Sequence, residues 1–220
     1  MAMQALPLGH AVLSPPLTEC EPVRVVLASS NAGKLRELVP LLAPLGFDLV
    51  AQNSLGIDTP PETGSTFVEN ALLKARYAAS RAGMPALADD SGIEVDALGG
   101  RPGVYSARYA GEHASDQDNL QKMLDELRGV PDAKRTARYR CVIAFVRSGE
   151  DASPLIADGA WEGRIGTSPK GSRGFGYDPI FLPEGFDRTA AQLSAEEKNA
   201  ISHRGRALRA LIALLSGSRV

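Results

Sequence analysis

Val23-Arg24-Val25-Val26-Leu27-Ala28-Ser29-Ser30-Asn31-Ala32-Gly33-Lys34 decides the fold class of this 220-residue chain. The first six residues read as a buried strand, and the polar stretch after Ala28 turns the chain into a helix beginning at about Lys34. Leu35, Leu38, Leu41 and Leu42 share one face of that helix. Pro40 and Pro44 are expected to kink or shorten it. Strand, polar turn and helix in this order are the opening of an α/β domain.

Working outward, a second strand is expected at residues 47–51, then a Pro-rich loop at 52–64. Thr66-Phe67-Val68-Glu69 has capping-box spacing and opens a helix that runs to about Ala82. Residues 86–88 form a short strand ending at Asp89-Asp90-Ser91-Gly92, and residues 93–97 form another. An amphipathic helix covers 115–128. Residues 135–147 and 155–166 pair as a long hairpin, followed by a glycine-rich loop at 168–176 and a short strand at 179–182. A final helix spans about 199–215. The class is α/β, with an early strand–helix–strand portion and a later antiparallel portion. Residues 1–22 form a Pro-containing leader without periodicity, expected to be partly disordered. Residues 23–217 are expected to form one domain.

A hydrophobic fraction of 44% allows a sizeable core, and the formal net charge is −2. That balance argues against nucleic acid as a partner, which calls for a basic footprint. No run of 18 apolar residues marks a membrane span. Cys20 and Cys141 are too few for a disulfide framework, so a reduced, cytoplasmic setting is expected.

Five constellations carry chemistry. Ser29–Lys34 opens a helix, where backbone N–H groups and the macrodipole favour an anion and Lys34 adds a point charge. The same residues also read as an Asn/Gly turn with a solvated lysine. Asp89-Asp90-Ser91-Gly92 puts two carboxylates at a strand end, one free to enter a site while the other braces the loop. A carboxylate there can hold Mg²⁺, position a water or take its proton. Glu62 is a candidate second oxygen ligand, preferred to Glu69 because Glu69 can close the capping box. Asn70 and Lys74 lie four apart on one helical face, aimed at a phosphate or at solvent. In Gly174-Phe175-Gly176-Tyr177-Asp178-Pro179, flexible backbone brackets a flat ring, and the proline fixes an extended Asp178. Lys198, Ser202, His203 and Arg204 gather donors at a helix start, where cations are disfavoured unless an anion or acceptor is present.

Taken in order, Ser29–Lys34, the Pro61–Ala75 run, Leu87–Gly92, Arg173–Phe181 and Leu193–Gly205 resemble the bacterial inosine/xanthosine triphosphate pyrophosphatases. The resemblance covers about Val23 to Leu215. It implies an elongated mixed α/β fold with flanking helices, two lobes around a nucleotide-binding cleft, and a homodimer. It implies Mg²⁺-dependent hydrolysis of deaminated purine nucleoside triphosphates to the monophosphate and pyrophosphate, cleansing the nucleotide pool. By matching motif, Ser29, Ser30, Asn31, Ala32, Gly33 and Lys34 would contact the phosphates, with Lys74 in support. Asp90 would be the proton acceptor and share Mg²⁺ with Glu62, while Ser91 would touch substrate. Phe175, Gly176, Tyr177, Asp178, Lys198, His203 and Arg204 would hold the nucleoside. Ser29 stands where the family often has threonine, which keeps the hydroxyl. The leader has no counterpart in the family's pattern.

Overall fold

A computed structural model describes residues 22–42 and 46–217. The expectations for Pro44, Cys20 and the leader before Pro22 lie outside them. Six strands form one sheet in the order β2-β1-β3-β4-β5-β6. The apolar opening run is β1 (Arg24–Leu27), parallel to β2 (Asp48–Ala51) and to β3 (Ala86–Val95). The rest of the sheet is antiparallel: β3 pairs along its whole length with β4 (Thr136–Val146), which pairs with β5 (Leu155–Ile165). The edge strand β6 (Phe181–Pro183) closes the order. This is the expected α/β class, with its parallel portion first.

Helix α1 (Ala32–Leu42) continues two residues past Pro40. Leu38 and Leu42 are fully buried against β1 and α5 (His203–Gly217). Helix α2 (Phe67–Ala82) covers the opposite face with an alanine-rich stripe of Ala71, Ala75, Ala78 and Ala79, small enough for a close approach to the sheet. Thr66 and Glu69 form the expected capping box. A third apolar cluster lies along the outer halves of β3, β4 and β5, where Tyr139, Trp161 and Phe181 meet Leu120 and Met123 of α3 (Asp116–Glu126). The long antiparallel strands thus run through two lobes, and the cleft lies between them.

Three local expectations are corrected. In place of two strands around an Asp-Asp-Ser-Gly turn at residues 86–97, β3 is one continuous ten-residue strand with Asp89 and Asp90 inside it. Full-length pairing with β4 outweighs the turn signal of the polar residues. The final helix does not start at about Asn199. Instead a seven-residue helix, α4 (Ala195–Ile201), ends at an extended Ser202 and α5 starts anew at His203. The short strand expected at 179–182 is shifted to Phe181–Pro183, because Tyr177 and Asp178 are still held in turns.

Candidate active site

The site follows from a length mismatch between strands. β1 pairs with β3 only through Leu87, and β3 continues for eight more residues. Past that point the flank of β3 is open, and segment 101–106 satisfies its outer N–H groups: Ile93 donates to Ser106 Oγ (2.9 Å) and Val95 to Arg101 O (3.2 Å). Asp89 and Asp90 stand at this opening on opposite faces of the strand, as alternation requires.

Asp90 faces α2. Its carboxylate accepts from Lys74 Nζ at 2.7 Å and from Asn70 Nδ2 at 3.4 Å. Lys74 also donates to Glu62 (2.9 Å), whose other oxygen accepts from Arg108 (3.0 Å). Only 6% of the Lys74 side chain is exposed, so the solvated-lysine reading of the Asn70/Lys74 pair does not hold. Burial raises the Asp90 pKa above the usual aspartate value, against the pull of Lys74 and Lys34. Burial also acts upward on Glu62, but Lys74 and Arg108 bring it below the ordinary value. Glu69 is turned away, bonded to Ser65 and Thr66 at the cap.

Asp89 faces α1 and α5. It pairs with Lys34 at 3.0 Å and Arg204 at 3.5 Å, and accepts from Ser91 Oγ at 2.8 Å. Burial alone would raise its pKa, yet Lys34 and Arg204 hold it well below the ordinary range. Lys34, 15% exposed in its side chain, is likewise not a solvated lysine. The cations at the start of α5 meet the acceptors that their position demands. Arg204 is bonded to Glu37 of α1 as well as Asp89, and its Nη2 reaches Ser91 at 3.4 Å. Lys198 spans Glu37 (2.8 Å) and Asp178 (2.6 Å).

Glycines 174 and 176, at φ +77° and +61°, bend the backbone around Phe175 in the left-handed region that favours glycine. The Phe175 ring stands 5.1 Å from Lys198 Nζ and 5.7 Å from the Arg204 guanidinium. It also rests on the start of α1, where a Cβ on Gly33 would come within 2.7 Å of its Cδ1. Asp178 is buried, accepting from Phe175 N (3.0 Å) and from Tyr139 Oη (3.2 Å). Tyr177 points into the core and donates to Ser106 O. His203 stacks on Tyr139 with centroids 4.6 Å apart. Burial, then Arg204 and Lys198, push its pKa well below the usual value, and its Nδ1 is buried without a partner.

These groups line a cleft with a cavity volume of about 120 Å³. Its lining brings Asn31, Lys34, Glu62, Asp90 and Ser91 together with Phe175, Gly176, Tyr177, Asp178, Lys198, His203 and Arg204. Lys74 lies just beneath, bonded to two of the lining carboxylates. Ser29 and Ser30 stand outside the lining: Ser29 caps the Asn31 N–H, and Ser30 bonds to Thr59. Ala32 and Gly33 contribute backbone at the first turn of α1. Reading of the sequence overlooks Glu37, Arg108, Asp116 and Tyr139. Glu37 lies one helical turn beyond Lys34 in α1. Asp116, whose carboxylate takes the Gly176 N–H at 2.7 Å, reads only as an ordinary helix-start acid.

A family model described as the Ham1 family matches residues 25–214. A dITP/XTP pyrophosphatase of Shigella flexneri is 58% identical over 189 residues, covering 86% of this chain and 96% of that protein. One from Escherichia coli K12 is 56% identical over the same length and shares. Among solved structures, a HAM1 protein from Coxiella burnetii superposes with a TM-score of 0.82 at 49% identity, covering 89% of this chain and 99% of that one.

Proposed function

The chain belongs to the Ham1 family, and from that membership we propose that it is a nucleoside triphosphate pyrophosphohydrolase acting on deaminated purine nucleotides. The products would be the monophosphate and pyrophosphate, and the role would be to clear such nucleotides from the precursor pool. The observation that carries this reading is one cleft with a carboxylate–lysine cluster at one end and an aromatic, donor-rich pocket at the other.

At the first end Asp90 is the proton acceptor for a water attacking the α-phosphorus. Its raised pKa makes it a better base than an ordinary aspartate. Lys34 and Lys74, with the N–H groups at the start of α1, lie where charge gathers on the leaving pyrophosphate. Glu62 and Asp90 would hold Mg²⁺. Among the described residues no group of three or more His, Cys, Asp or Glu side chains converges on a metal site. Two carboxylates nonetheless suit an ion that takes its remaining ligands from water and phosphate. That ion would supply charge neutralisation.

At the other end Phe175 offers a face for a planar base, and Arg204, His203 and Lys198 surround its polar edge. Arg204 is held by Glu37 and Asp89, so its fork is fixed before any base arrives. A 6-oxo purine presents an acceptor to such donors, whereas adenine presents an amino group that would stay unpaired in a desolvated site. We further read residues 23–217 as a single domain, working as a homodimer in a reduced, cytoplasmic setting.

The test is pyrophosphate release across a panel of triphosphates with and without Mg²⁺. Inosine and xanthosine triphosphates should be cleaved in preference to ATP, and only with the ion. Release of orthophosphate as the first product, or equal rates on all purines, would overturn the reading.

A further inference from the structure

Asp89 does not itself line the cleft, and yet it is fully buried at the centre of the site, in contact with three residues that do. Its Oδ2 holds Lys34 of α1 at 3.0 Å and Arg204 of α5 at 3.5 Å, and takes the Ser91 hydroxyl at 2.8 Å. Its Oδ1 is buried without a partner, as is Arg204 Nε by strict hydrogen-bond geometry. A carboxylate placed only for stability would be expected to satisfy both oxygens, since an unpaired buried acceptor is costly. Here one oxygen is shared by two cations and a hydroxyl, carried by three elements.

We propose that Asp89 is a positioning residue that couples the two ends of the cleft. It rests on the functional reading above, in which Lys34 serves the phosphates and Arg204 the base. A side chain bonded to both cations cannot release one without changing its hold on the other. Groups joined in one charged network show coupling rather than additivity. Occupation of the base end should therefore alter the affinity of the phosphate end, and the reverse by the same factor. The neighbouring Asp90 lies on the other face of β3, hydrogen-bonded to Asn70 and Lys74 of α2; Lys34 acts on it through charge, without an ion-pair contact.

The probes are inorganic pyrophosphate for one end and inosine, which carries no phosphate, for the other. Calorimetric titration of the wild-type chain measures each alone and in the presence of the other. The expected result is a reciprocal change of roughly threefold or more in both affinities, within the range for side chains in one network. In Asp89→Asn, which keeps the side-chain size but loses the charge, both probes should still bind and the factor should fall to one. If that variant does not fold by circular dichroism, Arg204→Met and Lys34→Met replace it. Each should then change affinity for the probe at the far end. A wild type that binds both probes independently overturns the role of Asp89 and leaves the functional reading standing. So does coupling that persists in Asp89→Asn. A far-end affinity untouched by either methionine variant also overturns it. A wild type that binds neither probe overturns the functional reading and this proposal with it.

Discussion

Asp90 and Gly33 show how single side chains set this cleft. Asp90→Asn keeps the size of the side chain and one acceptor for Lys74, so the fold should persist. Losing a general base typically costs about 10²–10⁴-fold in rate. The expected outcome is a folded protein with turnover on inosine triphosphate reduced by at least that range, checked by pyrophosphate release beside a melting curve. Gly33→Ala separates activity from stability by a different route, through packing. Alanine is worth up to ~1 kcal/mol over glycine in a helix, but the added Cβ would lie 2.7 Å from the Phe175 ring and 3.0 Å from Asn31 Oδ1. The ring should be displaced while the helix gains. Melting temperature should be unchanged or higher, and kcat/KM at least tenfold lower, mostly through KM. At this scale the sequence is most legible where residue type and spacing speak together. Lys34, Asp90, Phe175 and Arg204 announce themselves, whereas Tyr139 lies in an apolar strand where an aromatic ring needs no special reason. Glu37 escapes notice because a single acid on a helix is usually solvated, and only the packing of α1 on α5 brings it to Arg204 and Lys198.

Among the elements, α2 is the one whose ends and faces are both readable. Its capping box is visible as Thr66 and Glu69, and its buried stripe as alanines at helical spacing. The β3 boundary is not readable, because polar residues in the middle of a strand look like a turn until the pairing partner is known. Strand β4 supplies that partner from about fifty residues away. The cap also anchors the helix that carries Asn70 and Lys74 to Asp90. Thr66→Ala should cost about 0.5–2 kcal/mol of stability, read by urea denaturation. Because Lys74 lies two turns inside the helix and keeps its carboxylate partners, kcat/KM should change by less than about threefold. A larger loss of activity would mean that the helix start, and with it the Glu62 loop, moves as a unit.

Across the whole molecule, stability is tied to pH through His203, buried where the two lobes meet and stacked on Tyr139. Its pKa is lowered in the folded state, by burial first and by Arg204 and Lys198 next. Unfolding therefore takes up a proton once the pH drops below the ordinary histidine value of 6.5. The contribution is fully present above that pH and is lost as pH falls toward the folded value, at up to about 1.4 kcal/mol per pH unit. Carboxylates such as Glu37, lowered from 4.5, act only further down. Between about pH 6.5 and 5.5 the unfolding free energy of the wild type should slope with pH. His203→Phe, which keeps the ring against Tyr139, should flatten that segment in denaturant titrations.

The ion pairs beneath the cleft have a kinetic side. Lys34, Lys74, Arg108, Lys198 and Arg204 each rest on a carboxylate, drawn from Glu37, Glu62, Asp89, Asp90 and Asp178. With Asp116 also in the lining, five positive groups face six negative ones and project no positive field into solvent, and the chain as a whole is mildly acidic. Long-range steering needs a cleft of one sign. A polyanion approaching this one feels almost no pull until it is close enough to exchange partners with those carboxylates. Capture is then governed by collision and by local rearrangement, and the association rate should be nearly insensitive to ionic strength.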